Sequence, residues 1–110
     1  MSSKPVDSEA TLSARLGQLD DLLAHRSRLA TCVLLSRADQ LSFSRLKALL
    51  SETDGNLGAQ LRRLEEAGYL SARKEFLDRR PVSWYALTAK GRKALLAHLD
   101  ALGRLIAHAN

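Results

Sequence analysis

The sequence predicts a mainly helical α+β domain. Apolar residues recur at helical spacing through residues 11–37 and 44–68, the pattern turns strand-like over residues 69–87, and helical spacing returns from Thr88 onward. A chain of 110 residues, 45% hydrophobic and 26% charged, is long enough for one core and too short for two ordinary domains. The expected organisation is a flexible tail over residues 1–8 and a single domain over residues 9–110.

Each element has its own signal. Residues 1–8 are polar, contain Pro5 and show no periodicity, hence the tail. Leu12, Leu16, Leu19 and Leu23 are spaced by four, three and four, which places them on one stripe of a first helix over residues 11–23. Ser27 reads as the N-cap of a second helix with Leu29, Ala30, Val33, Leu34 and Leu35 on its apolar face, ending near Arg37. Leu41, Ser42 and Phe43 form a short extended link, and Ser44 caps a short third helix carrying Leu46, Leu49 and Leu50. A fourth helix starts at Thr53-Asp54-Gly55-Asn56, runs on Leu57, Leu61 and Leu64, and stops at Gly68 in the left-handed conformation. Residues 69–76 and 82–87 are strands joined by a polar turn over residues 77–81, a β-hairpin. Thr88 caps the last helix, in which Leu95, Leu99, Leu102 and Ile106 repeat the spacings four, three and four.

Composition narrows the function classes. Seventeen Lys and Arg against twelve Asp and Glu give a net charge of +5, which favours polyanionic partners. Cys32 stands alone, so neither an intramolecular disulfide nor a thiolate zinc knuckle is available, and a reducing cytoplasm is the expected compartment. In the apolar run of the second helix it reads as a small core residue rather than a redox sensor. The N-terminus has no apolar signal core, and no stretch approaches the roughly 18 apolar residues that span a bilayer, so neither secretion nor a membrane anchor is expected. His98 and His108 lie about 80° apart around a helix, a poor arrangement for a metal, and with His25 they read as solvated or interfacial. With no Gly-rich phosphate loop, supported nucleophile or HExxH, neither an enzyme nor a cofactor is expected.

The few residues joining helices three and four, Ser51-Glu52-Thr53, are a helix-turn-helix signature, and the hairpin that follows extends it to a winged helix-turn-helix with extra N- and C-terminal helices. Opposite the leucine stripe, the fourth helix presents Gly55, Asn56, Ala59, Arg62 and Arg63, with Gln60 at the boundary. The amides and guanidiniums suit base edges and phosphates, and the small residues allow close approach. The competing role for Arg62 and Arg63 is a solvated face paired with Glu65 and Glu66. The hairpin adds Arg73 and Lys74 on its first strand and Arg79 and Arg80 at its tip, where Arg suits a narrow minor groove or flanking phosphates, unless Arg79 pairs with Asp78. Trp84 and Tyr85 alternate, so one faces the core. A chain only 5% aromatic lacks a stacking platform for single strands, which leaves duplex DNA.

Taken together, Thr53-Asp54-Gly55-Asn56-Leu57, Leu61, Leu64-Glu65, Gly68-Tyr69, Lys74, Phe76, Arg80-Pro81, Trp84-Tyr85, Leu87-Thr88 and Gly91-Arg92 resemble the small winged-helix regulators related to the MarR family. The resemblance runs from about His25 to the C-terminus. It implies a bacterial or archaeal DNA-binding protein whose fourth helix reads the major groove, whose wing reaches the neighbouring minor groove and whose terminal helices dimerise. The wing departs from that pattern, with Asp78-Arg79-Arg80-Pro81 where a Gly is expected. The stripes Leu12, Leu16, Leu19, Leu23 and Leu95, Leu99, Leu102, Ile106 are the expected dimer interface. The expected function is sequence-specific binding to duplex DNA as a homodimeric transcription regulator, a repressor because occupancy alone suffices. Its nucleoid-bound contacts would be Asn56, Gln60, Arg62 and Arg63 in the major groove and Arg73, Lys74, Arg79 and Arg80 through the wing. A small-molecule effector site between the dimer helices is compatible with this reading, and the alternative is a protein-interaction module without direct DNA readout.

Overall fold

The first helix ends well before its leucine stripe does. The computed structural model describes residues 4–109, with side chains from residue 9, and in it α1 spans Lys4–Leu16. It therefore begins inside the stretch expected to be a tail, of which residues 1–3 lie outside the described residues. Gly17 follows directly, a residue with low helix propensity. The Asp20 carboxylate then accepts the N–H groups of Leu22 (2.8 Å) and Leu23 (3.3 Å), an Asx turn that takes donors a continuing helix would have needed. Leu23 is thereby turned fully into the core.

Helix α2 (Arg26–Ser36) is capped by His25, whose Nδ1 accepts from the Ser27 N–H at 3.2 Å, rather than by Ser27 itself. The Ser27 hydroxyl is directed instead at the Glu52 carboxylate. Strand β1 (Leu41–Ser42) leads into α3 (Phe43–Leu50), and its cap is Ser42, two residues earlier than Ser44, accepting from the Arg45 N–H at 3.1 Å. Ser51, in the left-handed conformation (φ 54°), closes α3. Helix α4 (Asp54–Glu66) is capped by Thr53 and stopped by Gly68 at φ 81°, with the Tyr69 N–H returning to the Leu64 carbonyl.

Strands β2 (Leu70–Leu77) and β3 (Arg80–Leu87) pair antiparallel, and β1 adds to the far side of β3, giving the order β1-β3-β2. The hairpin turn is tighter than expected. Only Asp78 and Arg79 lie between the paired Leu77 and Arg80, at φ 52° and 67°, the two left-handed positions of a type I′ turn. Thr88 caps α5 (Ala89–Ala109), accepting from the Gly91 N–H at 3.0 Å. A Cβ on Gly91 would stand 2.2 Å from the Tyr69 carbonyl oxygen, so α5 can cross the base of the hairpin this closely only at glycine.

The core is leucine from several elements: Leu23, Leu35, Leu46, Leu57, Leu61, Leu64, Leu70 and Leu95, with Cys32 among them. Tyr85 packs against this cluster, and Trp84, on the opposite face of β3, is half-buried and donates to Glu75 at 2.8 Å. One polar hub crosses the interior. His98, 2% exposed, accepts the Asp20 N–H at its Nδ1 (3.0 Å), while Tyr69 donates its hydroxyl to the Asp20 carboxylate (2.5 Å). Burial and the Asp20 carboxylate push the Tyr69 phenol up to about 12. The hub fastens the α1–α2 linker to both α5 and the start of the hairpin, and gives His98 a buried structural role in place of the solvated or interfacial one expected.

Candidate nucleic-acid interface

Helix α4 is held to the core by Leu57, Leu61 and Leu64, each at most 1% exposed, so its opposite side must face outward. Gly55, Ala59, Arg62 and Arg63 are exposed there, and a Cβ on Gly55 or Gly58 would meet nothing within 4 Å. Among the described residues Arg62 and Arg63 form no salt bridge, Glu65 and Glu66 included. Their guanidiniums therefore keep their donors for a partner.

The amides of α4 are held differently. Asn56 is exposed at the first turn, and its Nδ2 donates to Glu52 Oε2 at 2.5 Å. The other oxygen of Glu52 takes the Ser27 hydroxyl, and these two hydrogen bonds hold the Glu52 carboxyl below its usual range. Gln60 is half-buried, and its carbonyl accepts from Arg28 Nη1 at 2.5 Å. Arg28 is itself only 7% exposed and donates through Nε to the Leu22 carbonyl at 2.6 Å. Burial first, and the neighbouring Arg63 charge second, lower the Arg28 pKa. Because an arginine only donates and a carboxylate only accepts, both amides are fixed in orientation by their partners. Gln60 is thus drawn to the flank of the helix, away from the outward sector of Arg62 and Arg63. At the N-terminus of α4, Asp54 pairs with Lys47 at 2.8 Å, linking the two helices of the motif.

On the hairpin, Lys74, Arg79 and Arg80 are exposed and, among the described residues, without a salt bridge; Arg79 does not pair with Asp78. Arg73 differs from them. It donates to Glu75 at 2.7 Å and to Gln40 at 3.1 Å, so its charge is partly spent on the sheet. Glu75, held below its usual range by Arg73 and Trp84, sits at the centre of that cluster.

The expected dimer stripes divide. Leu23 and Leu95 belong to the core of the single chain and are removed from any candidate interface, since the linker turn and the base of α5 bury them. Leu12, Leu16, Leu99 and Ile106 are 37%, 49%, 41% and 65% exposed, while Leu19 and Leu102 are half-buried. Helix α1 packs on α5 within the chain and still leaves these side chains open. Leu96, 62% exposed, joins them and was missed because it lies one residue off the regular stripe. Sequence reasoning also missed Arg28 and Glu52; the spacing of four between Glu52 and Asn56 was the one available signal. The Cys32 thiol, fully buried, is pushed up to about 12 by burial and by Asp20, conditions under which a thiol is inert. No helix among the described residues is long and apolar enough to cross a membrane.

Known proteins share this arrangement. Residues 27–106 match the family model described as a winged helix DNA-binding domain. An uncharacterized protein of Methanocaldococcus jannaschii is 36% identical over 67 residues, 61% of this chain and 73% of that protein. Among solved structures, a transcriptional regulator homologue from Pyrococcus horikoshii superimposes with a TM-score of 0.78 at 23% identity, covering 94% of this chain and 98% of that one. Wild-type MarR from E. coli gives 0.67 at 18% identity over 99% and 81%. BldR from Sulfolobus solfataricus, a transcriptional regulator, gives 0.66 at 21% identity over 96% and 76%. At such identities the likeness to the solved structures is one of fold, whereas the family match spans most of the chain. The chain belongs to the winged helix DNA-binding domain family.

Proposed function

We propose that this chain is a homodimeric transcription regulator that binds a specific duplex operator and represses by occupying it, in the cytoplasm of a bacterium or archaeon. The observation that carries the reading is the group of exposed cations on these two elements, Arg62 and Arg63 on the outward side of α4 and Lys74, Arg79 and Arg80 on the hairpin, none of them in a salt bridge among the described residues, whereas Arg28, Arg73 and Lys47 are engaged by neighbouring groups of the chain. Arg62 and Arg63 reach base edges in the major groove with Asn56 beside them. The hairpin cations take phosphates and the adjoining minor groove. Gln60 supports from the flank, and Arg73 contributes less than the other wing cations.

Dimerisation rests on the open side chains of α1 and α5. Each Leu or Ile left in water forgoes about 1.5–3 kcal/mol of burial, and a two-fold axis through these helices would set two α4 helices roughly 34 Å apart for a palindromic site. A small-molecule effector acting between the dimer helices is compatible with this arrangement.

The test is a salt titration with the purified protein. Between 50 and 200 mM salt, duplex binding should weaken by roughly 10³ to 10⁵ if about six to ten phosphates are contacted. Absence of binding to any duplex at low salt would favour a protein-interaction module instead. Sedimentation equilibrium tests the dimer. A 12.1 kDa species persisting at micromolar concentration excludes it, and Leu99→Asp should convert a dimer to monomers.

A further inference from the structure

The outer half of the hairpin leaves apolar side chains uncovered in a cationic setting. Along one face the register pairs Leu70 with Leu87, Ala72 with Tyr85, Lys74 with Ser83 and Phe76 with Pro81. The inner end of that face, Leu70, Tyr85 and Leu87, is packed into the core, so its outer end overhangs the body of the domain. There Phe76 is 75% exposed, directly opposite the exposed Pro81. Lys74 lies two residues back on the same face, and Arg79 and Arg80 stand at the tip with only Asp78 of opposite sign. The type I′ turn keeps the ribbon narrow.

A single exposed apolar residue needs no explanation, but a ring and a proline facing outward together within a cluster of unpaired cations restrict what can cover them. An apolar protein surface would have to carry its own acidic rim. A duplex supplies both chemistries at once, because the walls of its minor groove are deoxyribose carbons edged by two rows of phosphates. We propose that Phe76, with Pro81 across the strand, packs against the deoxyribose walls of the minor groove while Arg79 and Arg80 take the flanking phosphates. This rests on the proposed duplex binding and gives the wing an apolar anchor in addition to an electrostatic one.

The experiment compares the full chain with Phe76→Ser and Phe76→Leu on one duplex that the wild type binds, from 50 to 200 mM salt. Phe76→Ser should bind about tenfold more weakly at every salt concentration, with the slope of log affinity against log salt unchanged, because no phosphate contact is removed. Phe76→Leu should recover most of the loss. Replacing flanking G·C pairs by I·C removes the amino group from the minor groove, and should strengthen wild-type binding several-fold but not that of Phe76→Ser. Equal affinity of Phe76→Ser and wild type, a reduced salt slope, or an I·C gain retained in the variant would overturn the assignment. So would a change in the oligomeric state of DNA-free Phe76→Ser, which would give the ring to a second copy of this chain. A wild type that binds no duplex at 50 mM salt overturns the duplex reading as well, whereas a variant indistinguishable from a wild type that does bind removes only the role of the ring.

Discussion

Helix α4 and the hairpin both present arginines to solvent, yet the two are built on opposite terms. Helix α4 stands on three buried leucines, its flanking amides are tethered to Glu52 and Arg28, and its Arg62 and Arg63 form no salt bridge among the described residues. The hairpin is anchored at its base alone. Past Lys74 its residues are exposed on both faces, apart from the half-buried Glu75 and Val82, and its turn holds two non-glycine residues at positive φ. The difference teaches that one surface is laid on a packed scaffold while the other projects as an exposed ribbon. A helix whose backbone is fixed by packing holds the attachment points of its side chains in place, which under the proposed function suits α4 to discrimination and the hairpin to affinity.

The largest effect that would break this contrast concerns stability. Leu61→Ala removes a side chain 1% exposed beneath α4 and should cost about 2–5 kcal/mol, whereas Phe76→Ala should stay within about 0.5 kcal/mol. Urea denaturation of both variants checks it, and similar losses would mean that the hairpin is as firmly built as α4. Next comes readout. Arg63→Ala should cost about 1–3 kcal/mol on the operator and much less on random duplex, while Arg80→Ala should weaken both alike and reduce the salt slope by about 1. Competition titrations on the two duplexes distinguish these outcomes, and equal losses for Arg63→Ala would remove it from the base-reading set.

Two smaller effects sharpen the picture. Arg79→Gly relieves a left-handed arginine and should stabilise the protein by about 1 kcal/mol or less while weakening duplex binding, a gain and a loss at one residue. Thermal unfolding and a binding titration on the same variant read them separately. The tether of Asn56 should also survive acid. The Glu52 carboxyl is held below its ordinary value of 4.5, so its contribution is present above that pH and is lost only as pH falls through the lowered value. The side-chain amide resonances of Asn56, followed by NMR from neutral pH downward, should stay in place to pH 4.5 and move below it. A shift centred above pH 4.5 would show that Glu52 is not the tether.

The sequence by itself determined the order of elements, the helix-turn-helix with its hairpin, and the side of α4 that faces outward. Each of these follows from a local period or a local stop signal: Leu57, Leu61 and Leu64 at spacings of four and three, Gly68 at the left-handed stop, Thr53 and Thr88 as caps. Tertiary structure decided whatever depended on competition for the same group. Leu12, Leu16, Leu19 and Leu23 satisfy one helical stripe, yet the Asp20 turn and the pull of the core divide them, leaving Leu12 and Leu16 open while Leu23 is buried. Ser27 has the chemistry of a cap, but its hydroxyl meets Glu52 while His25 takes the cap position. Gln60 resembles a base reader on the wheel until Arg28, distant in sequence, claims its carbonyl. Periodicity records which side chains prefer to leave water, whereas partners brought together from distant parts of the chain decide which donor, acceptor or leucine is already taken.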